Sequence, residues 1–197
     1  MKLFYTKRSP YARKARIIAL EKKINLEFVD EDLTNKSAAL LKANPVGKVP
    51  TLWIDDQSVL CDSPLICEYL DSLNTAPRFI PQDPAQRIKV LNMAAIADGM
   101  MDITITAYME KIRHPQDFNQ KLVDNSYAAI ERLLGYFEGQ VADLKSWHLG
   151  SVGVVCALGY LQFRLGELYR AQKYPQLDRW YQDVATRPSL QGTIPVA

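Results

Sequence analysis

Asn74-Thr75-Ala76-Pro77-Arg78-Phe79-Ile80-Pro81-Gln82-Asp83-Pro84-Ala85 divides the chain into two unlike parts. The prolines at 77, 81 and 84 interrupt any helix, since each lacks an N–H and crowds the turn before it. Upstream of this stretch strand and helix patterns alternate; downstream, strand signals are nearly absent. A boundary inside 74–84 follows, with one domain over 1–76, a linker over 77–84 and an all-helical domain over 85–197.

Upstream, Leu3-Phe4-Tyr5 reads as a short apolar strand. Ser9-Pro10 then carries the start signal of a helix, a hydroxyl for the N-cap and proline at the first helical position. That helix is predicted to about Lys23, with Ala12, Ala15, Ala19 and Leu20 on one face. Leu26 and Phe28 flank Glu27 with the period of a strand, and a polar helical stretch runs from Asn35 to Ala43. Asn44-Pro45-Val46-Gly47 makes a turn into the strand Thr51-Leu52-Trp53-Ile54, and Asp55-Asp56-Gln57 folds back into Ser58-Val59-Leu60 as a hairpin. Ser63-Pro64 repeats the N-cap signal ahead of Leu65, Ile66, Tyr69, Leu70 and Leu73, which have helical spacing. Downstream, Asp83 to Gln86 resembles a capping box, and helices are predicted at about 86–112, 119–141, 151–171 and 175–186.

The 197 residues are 48% hydrophobic and 23% charged, with no apolar run approaching the ~18 residues of a membrane span. Met1-Lys2-Leu3-Phe4-Tyr5 lacks the features of a signal peptide, so a cytoplasmic, membrane-free protein is expected. A net charge of +2 is too mild to argue for nucleic acid. The denser cluster Lys7, Arg8, Arg13, Lys14 and Arg16 reads as the solvated face of a helix. Cys61, Cys67 and Cys156 form no CxxC pair, and His114 and His148 lie far from them, so no metal site is expected and the thiols read as buried fillers.

Three segments narrow the function: Ser9-Pro10-Tyr11-Ala12-Arg13-Lys14, Asn44-Pro45-Val46-Gly47-Lys48-Val49-Pro50 and Asp62-Ser63-Pro64. Together they resemble the cytosolic glutathione transferase family, in its bacterial serine-type branch related to the theta, zeta and beta classes. The N-P-x-G-K-V-P segment ahead of a strand is the most specific. Pro77 to Ala85 resembles the family's interdomain linker and Arg187-Pro188-Ser189 its usual ending, so the likeness spans the chain. It implies an α/β plus all-α protein: an N-terminal thioredoxin-like domain that binds glutathione and a C-terminal helical bundle. It also implies a homodimer with a detoxification role. Met100 and Met101, interleaved with Asp98 and Asp102, mark the first long helix as its candidate contact. One of those aspartates is expected near the partner's glutathione.

The resemblance implies a role for each site residue. The Val49-Pro50 bond is cis in the family, which lets the backbone of Val49 pair with the cysteinyl amide of glutathione. Ser63 and its neighbouring amides hold the γ-glutamyl carboxylate at a helix N-terminus, a natural anion site, while Asp62 faces the ammonium. Lys48 and Lys36 sit near the glycyl carboxylate, and Tyr11 contacts the pocket. Ser9 is the catalytic residue, its hydroxyl aimed at the sulfur. A free thiol has a pKa near ~8.5 and is mostly protonated at neutral pH. One charge-assisted hydrogen bond of about 1.5–3 kcal/mol lowers that pKa by ~1–2. Thiolate then attacks an electrophilic carbon or sulfur.

Tyr5 at the end of the first strand competes with Ser9 for this role. The family also starts its core helix with Ser or Thr followed three residues on by Asp; here Ser151 is followed by Val154, so half of that box is missing. Tyr108, Met101 and Ile105 are candidates for the electrophile pocket by position alone, and helix core explains them equally well. Two other functions compete. A regulatory protein that keeps the fold without catalysis would have no need of Ser9, Pro50, Asp62 and Ser63 together. A thiol–disulfide oxidoreductase needs cysteine where this chain has Ser9.

Overall fold

The computed structural model describes residues 1–73 and 76–196; Asn74 and Thr75, at the head of the proline-rich break, and Ala197 lie outside the described residues. Two compact units emerge. The first runs from Met1 to Pro81 and takes in the tail from Pro188; the second spans Gln82–Arg187. The helical domain thus ends at Arg187 rather than at the last residue, because the tail packs back on the first unit.

In the first unit, β1 (Lys2–Tyr5), β2 (Glu27–Asp30), β3 (Thr51–Asp55) and β4 (Ser58–Cys61) form one sheet in the order β2-β1-β3-β4. β1 pairs parallel with β2, as a helical crossover requires, and antiparallel with β3. The helices are α1 (Pro10–Glu21), α2 (Ala38–Ala43) and α3 (Ser63–Ser72), in the sequential positions that the sequence predicts. α2 is shorter than expected because Ser37, not Asn35, caps it: its hydroxyl accepts from Leu40 N at 3.0 Å. α3 is capped by Asp62 rather than Ser63, and this moves the serine inside the helix.

The tail folds into α9 (Pro188–Gln191) and lies on α1. Arg13 Nη2 donates to Leu190 O and Nε to Thr193 Oγ1, both at 3.4 Å, while Arg16 Nη2 donates to Gly192 O at 3.1 Å. These guanidiniums meet the carbonyls left open where a short helix ends. Arg13 and Lys14 are accordingly buried, not part of a solvated face as their charge suggested.

The stretch expected to be a linker is packed at its start. Phe79 and Ile80 are buried, and their amides both donate to the Asp71 carboxylate at 2.9 Å. Asp71 also pairs with Lys22 at 3.0 Å, and Lys22 Nζ donates to Pro77 O at 2.7 Å. Both charged groups are buried, so each depends on the other and on these peptides.

The helical unit consists of α4 (Pro84–Arg113), α5 (Gln120–Gly139), α6 (Val141–Leu144), α7 (Leu149–Leu165) and α8 (Pro175–Ala185). Tight turns at Gly166–Leu168 and Ala171–Lys173 replace the expected last turns of α7. α7 begins at Leu149, and His148 supplies the capping box whose partner seemed absent. Ser151 N donates to His148 Nδ1 at 3.1 Å, and His148 N donates to Ser151 Oγ at 2.8 Å. The sequence put Ser151 at the cap; it is the third helical residue instead. α4 and the segment Leu149–Leu168 are, against expectation, long and apolar enough to cross a membrane by length and composition, with mean hydropathy 1.2 and 1.3. The α7 window is 78% buried inside the protein, as the central helix of a packed core is. Met100 and Met101 are fully buried as well, so they serve the core and not a subunit contact.

Candidate functional site

Strand pairing gathers the predicted residues of the first unit. Phe4 is opposite Thr51, and Thr51 is opposite Cys61. The C-terminal end of β1, the start of β3 and the end of β4 therefore share one edge of the sheet. Ser9 follows the first, Val49-Pro50 leads into the second, and Asp62-Ser63 follows the third. Residues far apart in sequence converge because β3 runs against both its neighbours.

Ser9 is the N-cap of α1, and its Oγ accepts from Ala12 N at 3.2 Å. A hydroxyl has one proton and two lone pairs, so capping occupies only an acceptor. No described residue accepts from Ser9, which leaves its proton available. Tyr11, half-buried, is the second residue of α1. The ring of the rival Tyr5 lies edge-on to Phe28, and the Arg16 guanidinium sits 4.6 Å from its centre.

Val49-Pro50 is cis. The loop that presents it is held by Asn44 and Thr51, a lock that sequence reasoning missed. Asn44 Oδ1 accepts from Val46 N at 2.9 Å, while its Nδ2 donates to Lys48 O at 3.0 Å and to Thr51 Oγ1 at 2.9 Å. Thr51 Oγ1 in turn donates to Lys48 O at 2.8 Å. Gly47 turns the chain with φ +62, a conformation that glycine adopts without steric cost. Val49 buries its side chain with Phe4 and Leu40. Its peptide N–H and C=O have no partner among the described residues. Lys48 is exposed beside it. Lys36, also exposed, lies over the same turn: a Cβ on Gly47 would stand 3.2 Å from its Nζ.

Asp62 adopts φ +74, rare for a residue with a Cβ and frequent at functional sites. Its Oδ1 accepts from Ser63 N at 2.8 Å. Ser63 is 0% exposed, and its Oγ has no hydrogen-bond partner among the described residues. The Thr6 hydroxyl, buried in the loop between β1 and α1, is unpartnered too. Burial without a partner costs a hydroxyl roughly 1–3 kcal/mol, so two such groups at one sheet edge call for a polar ligand or water. The one thiol beside this edge is Cys61; burial pushes its pKa up, Thr51 opposes this, and Asp62 adds to it. It is a protonated thiol, not a reactive one.

In the helical unit a groove lies between α4 and α5, lined by Ile103, Asn119, Leu122, Asn125 and Ser126; none of the predicted site residues borders it. Of the positions proposed for an electrophile pocket, Met101 is core, Ile105 is half-buried, and Tyr108 accepts a hydrogen bond from Arg164 Nη1 at 3.1 Å.

Known proteins share this fold. Residues 3–78 match the family model of the glutathione S-transferase N-terminal domain. The uncharacterized GST-like protein YibF of Escherichia coli is 33% identical over 99% of this chain and 98% of its own length. A glutathione S-transferase from Methylobacillus flagellatus, solved with glutathione bound, superposes with a TM-score of 0.93 at 35% identity over 99% of both chains. A glutathione transferase family member from Pseudomonas fluorescens Pf-5, solved with S-(propanoic acid)-glutathione, gives 0.90 at 34% identity over the full length of both. Fold, sheet-edge geometry and full-length similarity together show that the chain belongs to the glutathione S-transferase family.

Proposed function

We propose that this protein is a glutathione transferase that binds the tripeptide along the sheet edge and activates its thiol with Ser9. The observation that carries the reading is the open chemistry of that edge. Ser9 has a proton to give, the Val49 peptide has both groups free, and Ser63 Oγ is buried with nothing to bond. A tripeptide supplies a match for each. Its cysteinyl backbone pairs with Val49, and its γ-glutamyl carboxylate accepts from Ser63 at the N-terminus of α3, where the helix dipole favours an anion. Asp62 draws the γ-glutamyl ammonium, Lys36 and Lys48 the glycyl carboxylate, and Tyr11 borders the thiol. The glutathione complexes of the Methylobacillus and Pseudomonas relatives support this assignment.

In the reaction Ser9 keeps accepting from Ala12 N while its proton points to the sulfur. The thiol proton passes to solvent, the thiolate is held by the hydroxyl and the N-terminus of α1, and sulfur attacks an electrophilic carbon or sulfur as the bond to that atom's leaving group breaks and the group departs with the bonding pair. We also assign the protein to the serine-type bacterial branch, with a cytoplasmic detoxification role, and infer a homodimer. Leu65 in α3 and Leu73 just beyond its end are both exposed, apolar surface suited to a second copy. Sedimentation giving only a monomer of about 22 kDa at micromolar concentration would defeat the dimer.

Ser9→Ala tests the catalyst. Glutathione is expected to bind within roughly tenfold of the unaltered protein, since most contacts lie elsewhere. The bound thiol pKa, read from thiolate absorbance against pH, is expected to rise by ~1–2, with a matching fall in conjugation at neutral pH. An unmoved thiol pKa would reduce Ser9 to a helix cap.

A further inference from the structure

Glu31 follows the last residue of β2, and its own N–H continues the ladder by donating to Tyr5 O at 2.8 Å. Beyond it the chain turns through Asp32, whose Oδ1 accepts from Thr34 N at 2.9 Å and from Thr34 Oγ1 at 2.7 Å. It then reaches Ser37, the cap of α2. The Glu31 side chain is buried, only 8% of the residue being exposed, and it commits both oxygens to one residue. Oε1 accepts from Ser37 Oγ at 2.7 Å and Oε2 from Ser37 N at 3.2 Å.

No cation pairs with Glu31 among the described residues. A carboxylate is costly to bury without one, and capping α2 does not call for it. The Ser37 hydroxyl accepts from Leu40 N at 3.0 Å, as an N-cap serine does without any acid beside it. What the carboxylate adds is a fixed position. It ties the peptide between Lys36 and Ser37 to the end of the sheet.

Lys36 starts from that tied peptide and runs across the turn after α2. A Cβ on Gly47 would stand 3.2 Å from Lys36 Nζ and 3.5 Å from its Cδ. Lys36 is exposed, and its ammonium has no acceptor among the described residues. A lysine is a point charge on a flexible stem, so anchoring the stem raises its affinity for an anion by lowering the entropy lost on binding.

We propose that Glu31 is a positioning residue: through Ser37 it aims the Lys36 ammonium, and so sets the selectivity of the sheet edge for a peptide that ends in a free glycyl carboxylate. The role rests on the transferase reading for its ligand, since it takes glutathione to lie along that edge.

The probes are glutathione and its glycyl monoethyl ester, which differ only at that carboxylate. Titration calorimetry of the full chain is expected to show glutathione bound ~5–20-fold more tightly than the ester. Lys36→Met is expected to remove most of that preference. Glu31→Ala is expected to weaken glutathione ~3–10-fold and the ester less than ~2-fold, with Glu31→Gln between, because an amide offers one acceptor group in place of two. Ser37→Thr keeps the hydroxyl and is expected to keep the preference. In the Lys36→Met background Glu31→Ala is expected to weaken glutathione no further, since the ammonium it would aim is gone. Equal affinity of the unaltered protein for the two probes would overturn the proposal even if Glu31→Ala does not fold. Equal weakening of both probes by Glu31→Ala, or an undiminished loss in the Lys36→Met background, would overturn it too and leave Glu31 a brace of its loop. A Glu31-dependent preference without conjugation of either probe to chlorodinitrobenzene would keep this role and remove the transferase reading. Conjugation of both without preference would do the reverse.

Discussion

Where α7 crosses α4 in the helical unit, Gly150 and Gly153 let the two helices meet. A Cβ on Gly150 would stand 2.8 Å from Met93 Cβ and 3.0 Å from Val90 O, and one on Gly153 would stand 3.1 Å from Ala97 Cβ. At the sheet edge of the first unit the chain is arranged in the opposite way. Among the described residues the buried hydroxyls at Thr6 and Ser63 lack partners, Asp62 holds a positive φ, and the loop before β3 hangs on Asn44 and Thr51. One region brings two backbones into close apolar contact; the other keeps polar groups open and braces them from behind. Stability here comes from close apolar contact and buried polar braces, while binding capacity lies in groups the fold leaves unsatisfied.

The comparison breaks if the first unit proves insensitive to its polar braces. Asp71→Ala is the severest case, because it strands Lys22 as a buried charge and frees the amides of Phe79 and Ile80. A loss of about 3–5 kcal/mol is expected in denaturant unfolding; a change below ~1 kcal/mol would show the pair to be dispensable. Gly150→Val tests the other side. Overpacking against Met93 and Val90 is expected to cost about 3 kcal/mol while leaving glutathione affinity within a fewfold. If affinity collapses while stability holds, the division of labour drawn here is wrong.

Asn44→Ala sharpens the picture, since it leaves Val46 N and Thr51 Oγ1 short of a partner. About 2 kcal/mol of stability and a larger share of glutathione affinity are expected to go together; calorimetry showing lost stability with full affinity would detach the loop from the site. The smallest effect concerns His148. Burial holds its imidazole pKa below the ordinary value, against the raising influence of the Asp143 backbone and charge. The unfolded chain thus takes up its proton first, near the ordinary ~6.5. The cap's contribution, of about 1 kcal/mol, is complete above that pH and is lost as the pH falls toward the folded value. His148→Asn is expected to keep the cap and flatten the melting temperature between pH 7 and the acid side; an unchanged slope would assign it to other groups.

Local signals were legible. Ser9 ahead of Pro10, the Asp55–Gln57 turn and the Asp83 cap each act within a few residues, so the sequence pattern and the structure coincide there. The site was legible only through its segments, not their convergence, which depends on strand order. What the sequence did not yield was partnership over distance. Arg13 reads as a surface charge until residues 190 and 193 are seen against it. His148 reads as an isolated histidine until Ser151 is placed in the helix, and Asp62 takes the cap because its unusual φ turns its carboxylate onto Ser63 N. Arg164 and Tyr108 lie 56 positions apart and carry no shared motif.

The return of the tail to α1 also bears on how the protein is made. The first unit is closed by residues that leave the ribosome after the whole helical unit has been synthesised. Until then Arg13 and Arg16 lack the carbonyls of Leu190 and Gly192, and Glu21 lacks the Ser189 hydroxyl that donates to it at 2.5 Å. A nascent chain halted at Arg187 would carry every residue of the proposed glutathione edge and still leave the helix behind Ser9 without its cover. Synthesis of the tail from Pro188, rather than exposure of the binding segments, would then be the event that completes the first unit.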